Sequence, residues 1–195
     1  MAQSSHDPIV KFIRWLDEAR RLGIPNYEAM ALATARRSGE TAVRFVLLKG
    51  IDERGFVFFT DARSRKGREL RGNPRASLAL YWQPKGRQVR VEGSVQEVSS
   101  EEADVYWATR PRQSQLAARA SYQSARLHSR AELLGRYARL ARKLRGREVP
   151  RPSWWTGFRL RPDVVEFWVH REHRLHDREI YRRRGRAWRR DLLQP

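Results

Sequence analysis

Cysteine is absent from the 195-residue sequence, and this absence excludes disulfides, thiol nucleophiles and cysteine-ligated metals. Long apolar runs are also missing, since none approaches the ~20 residues that span a bilayer. The first seven residues contain no apolar core of the kind that signal peptides carry. These absences predict a soluble, cytoplasmic protein that does not enter a membrane.

Acidic residues and lysine are both scarce. The chain has 22 acidic residues against 41 basic ones, a formal net charge of +19, and only five of the basic residues are lysine. Genome composition can account for part of this arginine bias, but the remaining excess still predicts anionic partners. Nucleic acid, an acidic membrane surface and phosphorylated small molecules are all compatible with it.

The chain does contain enough aromatic residues for a substantial core, with seven Trp, seven Phe and six Tyr. Its length suits one domain over residues 1–195, in which residues 1–6 form a short disordered N-terminus. Apolar periodicity and turn signals predict helices over 7–23, 64–70, 99–107 and 131–144. They predict strands over 29–35, 43–48, 56–60, 76–82, 88–98, 158–169, 179–183 and 187–192, with a linker-like break at 149–152.

Short connections between these strands favour antiparallel pairing over alternating βαβ units. We therefore predict the α+β class, as an antiparallel β-barrel of six to eight strands with peripheral helices.

Five groups of residues could carry chemistry. Ser64-Arg65-Lys66 stands at a predicted helix start, where free N–H groups and two cations suit a phosphate; a solvated basic helix start is the alternative. The apolar strand from Arg44 to Lys49 could lay its backbone against a flat ring while its basic ends meet charges, but a buried strand with snorkelling ends is favoured by the pattern alone.

Tyr106, Arg110 and Ser114 are spaced four apart and would form one stripe of donors on a continuous helix. Pro111 breaks that helix, so a helix end with surface polar residues is the simpler interpretation of the spacing. If the three side chains do converge, they suit a phosphate, to which Lys49 could add a point charge.

His170, His173 and His176 are spaced by three, which suggests a metal at first sight. In an extended segment, residues three apart point to opposite faces, and cationic neighbours disfavour a dication. We predict no metal here; a cluster of donors for an anionic ligand and a solvated basic loop are the alternatives. The tryptophans interleaved with arginine could stack nucleic-acid bases, but most of them fit the core.

These motifs occur in one order that resembles a known family. The sequence has R-P-R-Q-S-Q at 110–115, V-E-F-W at 165–168 and R-L-H-D-R at 174–178, and it ends in Leu193-Gln194-Pro195. With the strand at 44–49, Phe59-Thr60, the 64–66 segment and Gln123-Ser124, this series resembles the pyridoxine/pyridoxamine 5'-phosphate oxidase family over nearly the whole chain.

The resemblance implies a homodimer of FMN-binding split β-barrels with FMN held between the subunits. It implies oxidation of pyridoxamine 5'-phosphate or pyridoxine 5'-phosphate to pyridoxal 5'-phosphate, with O2 reduced to H2O2. The residues matching flavin contacts are Arg44, Val46, Leu47, Lys49, Phe59, Thr60, Arg65, Lys66, Gln88, Gln123, Ser124, Trp168 and Arg178. The substrate phosphate is matched by Lys49, Tyr106, Arg110 and Ser114, and the catalytic pair facing the substrate ring by Arg174 and His176.

The sequence departs from the family pattern at three places. Phe59 stands where tyrosine is frequent, Gln113 stands where an acidic residue is common, and only six residues precede Asp7, whereas the family usually carries a longer N-terminal extension. A related flavin oxidase of the phenazine pathway is one alternative, against which the full phosphate cradle argues. The second alternative is a basic nucleic-acid-binding protein, although we expect no specific nucleic-acid partner.

Overall fold

The computed structural model describes residues 7–195, so the prediction for residues 1–6 lies outside the described part of the chain. Within that part, five α-helices accompany nine β-strands. The helices are α1 (Pro8–Arg21), α2 (Arg65–Gly72), α3 (Ser100–Thr109), α4 (Arg112–Ala120) and α5 (Arg130–Lys143). The strands are β1 (Ala29–Ala35), β2 (Thr41–Leu47), β3 (Gly50–Asp52), β4 (Gly55–Asp61), β5 (Arg75–Trp82), β6 (Arg87–Glu97), β7 (Trp155–Val169), β8 (Asp177–Arg184) and β9 (Ala187–Leu193).

All of the strands join one antiparallel sheet in the order β2-β1-β5-β6-β7-β4-β3, with β8 and β9 branching from β7. The branch is possible because β7 is long: its first residues pair with β4, its last residues pair with β8, and β6 runs along both parts. The β6–β7 register shifts between Glu92 and Gly93, where a Cβ on Gly93 would meet the carbonyl oxygen of Arg161 at 1.9 Å. Such a bulge bends the sheet, which curls into a half-barrel.

The main core lies inside this curl and is closed by α1. Asp7 caps the helix by accepting from the Ile9 N–H at 2.8 Å, and the buried side chains of α1 include Phe12 and Trp15. Phe12 meets Phe56 edge-on at 4.9 Å between ring centroids, so the apolar face of α1 is anchored on the strands. The α+β architecture with peripheral helices is therefore as predicted.

A second, smaller core lies beneath α3, α4 and α5. Its buried members are Trp107, Leu116, Val149 and Trp155. The break predicted at 149–152 is present, since these residues form neither helix nor strand. It is not linker-like, however, because the Trp107 indole N–H donates to the Val149 carbonyl at 2.7 Å. This second core positions the side chains of the site described below.

Two further predictions need correction. The nine strands exceed the expected six to eight, because the three-residue strand β3 was not predicted. The helix α4 was not predicted. The helix predicted over 131–144 is present as α5, which has no buried residue and packs mainly against α4. Across residues 7–195, no helix is long and apolar enough to cross a membrane.

Candidate active site

A cavity of about 570 Å³ opens between the ends of β2 and β4, the start of α2 and the α3–α4 break. Ten of the residues predicted to bind cofactor or substrate line it, and they are Val46, Leu47, Lys49, Phe59, Thr60, Lys66, Tyr106, Arg110, Ser114 and Gln123. The volume lies in the range of small-molecule sites. The sequence motifs therefore converge in space, although they are up to 77 residues apart along the chain.

Lys66 brings a buried cation to this cavity. Helix α2 begins at Arg65, and the Ser64 hydroxyl caps it by accepting from the Gly67 N–H at 3.3 Å. The Lys66 ammonium donates to two neutral oxygens, Thr60 Oγ1 at 3.1 Å and Gln123 Oε1 at 2.9 Å. Burial, helped by the charge of Arg44, lowers the pKa of Lys66 to about 8. A bound anion would stabilise this ammonium, because it would supply the charge that the neutral oxygens do not.

Arg44 and Arg65 lie beside Lys66 but are held by a carboxylate. Buried Glu69 accepts from Arg44 Nη2 at 3.0 Å, Arg65 Nε at 2.7 Å and Thr34 Oγ1 at 2.5 Å. Burial alone would raise the pKa of Glu69, but these hydrogen bonds outweigh it and lower the pKa to about 2. Neither arginine lines the cavity. Sequence reasoning missed Glu69, although its i,i+4 spacing from Arg65 was a signal.

Tyr106, Arg110 and Ser114 converge despite Pro111. Helix α3 ends at Thr109 and α4 begins at Arg112, so the break itself carries Arg110 into the cavity. The Arg110 guanidinium lies 4.7 Å from the Trp155 ring and donates to the Ser114 carbonyl at 3.2 Å. Desolvation lowers the pKa of Arg110. Tyr106 stacks on Phe59 with centroids 4.0 Å apart, which gives the cavity a flat aromatic wall.

Lys49 lies two residues after the end of β2 and lines the same cavity. Its ammonium donates to Glu28 Oε1 at 2.7 Å, and both side chains are partly exposed. Glu28 was not predicted as a site residue. Ser124 follows Gln123 and adopts a left-handed backbone with φ of 70°, but it does not line the cavity.

The remaining predicted residues form a second group on the other end of the sheet. Gln88, Trp168 and Arg178 are direct cross-strand neighbours on β6, β7 and β8. The His176 ring lies 4.5 Å from the Trp168 ring, and its Nδ1 accepts from the Arg171 N–H at 3.1 Å. Partial desolvation, with the nearby His170 and Arg174, lowers the pKa of His176.

Arg174 belongs to this second group and has a left-handed backbone with φ of 62°, a conformation that non-glycine residues rarely adopt. Such strain is concentrated at functional sites. His170 and His176 have ring centroids 5.2 Å apart, so the predicted divergence of the histidines does not extend to this pair. Within residues 7–195 no cluster of His, Asp and Glu is arranged to hold a metal.

One chain does not bring the two groups together. Thr60 in the cavity pairs with Thr156 at the start of β7, whereas Gln88 and Arg178 pair with Trp168 near its end. Those ends are separated by up to roughly 40 Å of extended strand at about 3.3 Å per residue. If both groups serve one ligand, a second copy of the chain must supply one of them.

The curled antiparallel sheet with a cavity at its edge is that of a split β-barrel. An FMN-binding protein from Nostoc punctiforme, related to pyridoxamine 5'-phosphate oxidase, has the same fold with a TM-score of 0.77, covering 98% of this chain and 99% of that chain at 19% identity. Residues 16–142 match the family model described as pyridoxamine 5'-phosphate oxidase, and residues 155–195 match the pyridoxine 5'-phosphate oxidase C-terminal dimerisation region. The chain belongs to the pyridoxamine 5'-phosphate oxidase family.

Relatives over the full length agree with this assignment. A pyridoxine/pyridoxamine 5'-phosphate oxidase of Rubrobacter xylanophilus is 55% identical, covering 97% of this chain and 87% of the relative. One from Thermosynechococcus vestitus is 47% identical, covering 100% of this chain and 92% of the relative. The crystal structure of PhzG from Burkholderia lata, in complex with tetrahydrophenazine-1-carboxylic acid, superposes with a TM-score of 0.92 at 37% identity. The match covers 97% of this chain and 93% of that chain.

Family membership confirms the predicted fold class, the enzyme class of FMN-dependent oxidoreductase, and the cofactor FMN. The matched dimerisation region supports a homodimer. The roles of individual site residues stay predictions, and the geometry above is the basis on which we assign them.

Proposed function

We propose that this chain oxidises pyridoxamine 5'-phosphate or pyridoxine 5'-phosphate to pyridoxal 5'-phosphate, at two FMN sites shared between the subunits of a homodimer. The observation that carries the proposal is the cation set of the cavity. Lys49, Lys66 and Arg110 all line one space beside an aromatic wall, and such a set suits two phosphorylated ligands, the cofactor and the substrate.

The residues present fit FMN. Lys66 offers a buried ammonium held by neutral oxygens, which suits a phosphate, and Val46 and Leu47 offer an apolar strand end for a flat ring. Arg44 and Arg65 lie nearby and share the single carboxylate of Glu69, so this group keeps one net positive charge. Bound FMN supplies the redox chemistry, in which the substrate is oxidised by hydride transfer and O2 is reduced to H2O2.

The substrate phosphate is assigned to Arg110, Lys49, Tyr106 and Ser114. Arg110 can make a bidentate contact, because its guanidinium has a fixed fork of donors, and Lys49 adds a point charge. The phosphate of these substrates is remote from the reacting carbon. Its binding energy is therefore available to orient the ring.

Arg174 and His176 are assigned to the substrate ring, from the partner subunit. Arginine does not act as a base near neutral pH, so Arg174 orients and polarises. The Nδ1 of His176 accepts from the Arg171 N–H, which leaves Nε2 as the protonated nitrogen of the neutral ring and a donor toward the ligand. The separation of these residues from the cavity along β7 is what supports a shared site.

Oxidase assays on the purified protein test this proposal. We expect a yellow flavin chromophore after purification and H2O2 production with pyridoxamine 5'-phosphate or pyridoxine 5'-phosphate. Pyridoxamine and pyridoxine without phosphate should be poor substrates, because the Arg110 cradle then has no ligand. Equal turnover with and without phosphate, or turnover of tetrahydrophenazine-1-carboxylic acid in place of the vitamers, would contradict the assignment.

A further inference from the structure

The structure assigns a positioning role to Tyr122, a residue next to the cavity that none of the roles above includes. We infer that the contacts of Tyr122 with Arg63 and Arg136 hold the 122–125 turn, and with it Gln123, in the conformation that binds FMN. This inference rests on the proposed placement of FMN beside Lys66 and Gln123. Here we call Arg63, Tyr122, Arg136 and Trp154 the clamp.

The turn needs an external support. The Ala125 N–H donates to the Tyr122 carbonyl at 3.0 Å and closes the turn, whose third residue, Ser124, has a φ of 70°. At that position a positive φ favours glycine or asparagine. A serine keeps such a conformation only where the surroundings enforce it, and within this turn the closing hydrogen bond does not select it over other conformations.

The clamp supplies that support through ring faces. The Arg63 guanidinium lies 4.0 Å from the Trp154 ring and 5.4 Å from the Tyr122 ring, and the Arg136 guanidinium lies 5.0 Å from the Tyr122 ring. Arg136 Nε and Trp154 Nε1 are buried and have no hydrogen-bond partner within residues 7–195. At these two atoms the clamp is therefore held by cation–π and packing contacts alone.

The clamp also joins the two segments that carry the proposed FMN phosphate site. Arg63 pairs with buried Asp61 at 2.8 Å, and the Ala62 N–H donates to the Trp154 carbonyl at 2.8 Å, so Arg63 is fixed to the segment before α2. Tyr122 immediately precedes Gln123, whose Oε1 accepts from both Thr60 and Lys66. Movement of Tyr122 would therefore break the contact between Gln123 and Lys66.

This coupling predicts an effect on cofactor affinity. Without the clamp the turn samples other conformations, and the apparent Kd rises by the inverse of the binding-competent fraction. We expect Tyr122→Leu to weaken FMN binding about tenfold, whereas Tyr122→Phe, which keeps the ring face, stays within about twofold of the wild type.

A matched pair of arginines on α5 separates positioning from net charge. Arg136 contacts Tyr122, whereas Arg139 lies on the same helix, is exposed and has no such contact within the described residues. Arg136→Gln and Arg139→Gln change the charge equally. Only Arg136→Gln should weaken FMN binding, by about threefold, and it should have no further effect in the Tyr122→Leu background.

FMN titrations followed by flavin fluorescence, with thermal melting of each apoprotein, test the inference. The inference is overturned if Tyr122→Leu binds FMN like the wild type, if Tyr122→Phe fails to rescue, or if Arg136→Gln and Arg139→Gln behave alike. The arginine pair decides the question if Tyr122→Leu does not fold. A wild-type protein that binds no FMN would instead contradict the proposed function itself.

Discussion

At the scale of single residues, the charge of Lys66 makes cofactor binding depend on pH. Its pKa is about 8, because burial disfavours the ammonium, and a phosphate dianion beside it would raise that pKa. Below pH 8 the ammonium is present before binding; above pH 8 binding must take up a proton. FMN affinity should therefore fall as pH rises above about 8, by up to about tenfold per pH unit.

Flavin fluorescence titrations from pH 6.5 to 10 check this expectation. Lys66→Arg is the control, since a guanidinium stays charged over the whole range and its affinity profile should stay flat. Riboflavin, which lacks the phosphate, should show no such dependence. A wild-type FMN affinity that is constant from pH 8 to 10 would mean that Lys66 does not face the phosphate.

The substrate phosphate provides a second residue-scale prediction. Arg110→Ala removes a desolvated, charged donor that can bind in a bidentate manner, whereas Ser114→Ala removes one weaker hydrogen bond. The KM for pyridoxamine 5'-phosphate should therefore rise far more in Arg110→Ala than in Ser114→Ala, with FMN content unchanged in both. Steady-state kinetics on both variants, with the FMN content of each measured, compare the two KM values. Loss of FMN with an unchanged KM in Arg110→Ala would show that the two phosphate sites are exchanged.

Sequence reasoning found the charged donors of the site more readily than the residues that hold them. Arg110 and Lys66 were recognisable because a motif and a helix start marked them. Glu69 and Glu28 were missed, because their importance comes from contacts at 2.7 Å with Arg65 and Lys49. The Glu28–Lys49 contact depends on the pairing of β1 with β2, which spacing alone does not specify.

At the scale of elements, Glu69 ties α2 to the sheet. It accepts from Thr34 on β1 and Arg44 on β2 as well as from Arg65 of its own helix. Its pKa is lowered to about 2 from the ordinary value of 4.5. The ionised form thus stabilises the folded chain above pH 4.5, and this contribution is lost as pH falls toward 2.

Glu69→Gln should therefore lower the free energy of unfolding at pH 7 by an amount on the order of 3 kcal/mol, and by much less at pH 3. Glu97→Gln is a matched control, since Glu97 pairs with Arg71 of the same helix but both side chains are well exposed; its effect should be about 1 kcal/mol or less. Urea denaturation of the apoproteins measures both. Equal losses in the two variants would contradict a special role for the buried carboxylate.

Sequence reasoning missed two short elements, the helix α4 and the strand β3. Helix α4 buries only Leu116 and Ala120 and follows directly after Pro111, so neither its periodicity nor its start was clear. Strand β3 has three residues and pairs only with β4 within the described chain. By contrast, α1 and β6 were predicted almost to their ends, because Asp7-Pro8 marks a helix start and the alternation of β6 is regular.

At the scale of the whole molecule, the charge of +19 is partly used inside the protein. In the β8–β9 hairpin, Arg182 and Arg189 pair with Asp191, and Arg190 pairs with Glu179. The exposed basic residues toward the end of α5 and beyond it, including Arg142, Lys143 and Arg145, have no acidic partner within the described residues.

We therefore expect only weak DNA binding without sequence preference, lost steeply as salt increases. Fluorescence anisotropy with unrelated duplexes at several salt concentrations checks this. The triple substitution of Arg142, Lys143 and Arg145 by Gln should reduce the residual binding and leave oxidase activity unchanged. Tight binding to one sequence at physiological salt would restore the nucleic-acid hypothesis.

The two groups of site residues make a final prediction about the dimer. In a twofold-symmetric dimer each site would combine the cavity of one subunit with Arg174 and His176 of the other. Arg110→Ala and Arg174→Ala homodimers then carry one defect in each site. A heterodimer of the two variants carries both defects in one site and none in the other.

Co-expression with two different tags isolates this heterodimer. Assayed well below the wild-type KM, it should regain about half of the wild-type kcat/KM, because one of two equivalent sites is intact. If each site were built within one chain, every site of the heterodimer would keep one defect, and its activity would equal the mean of the two variants.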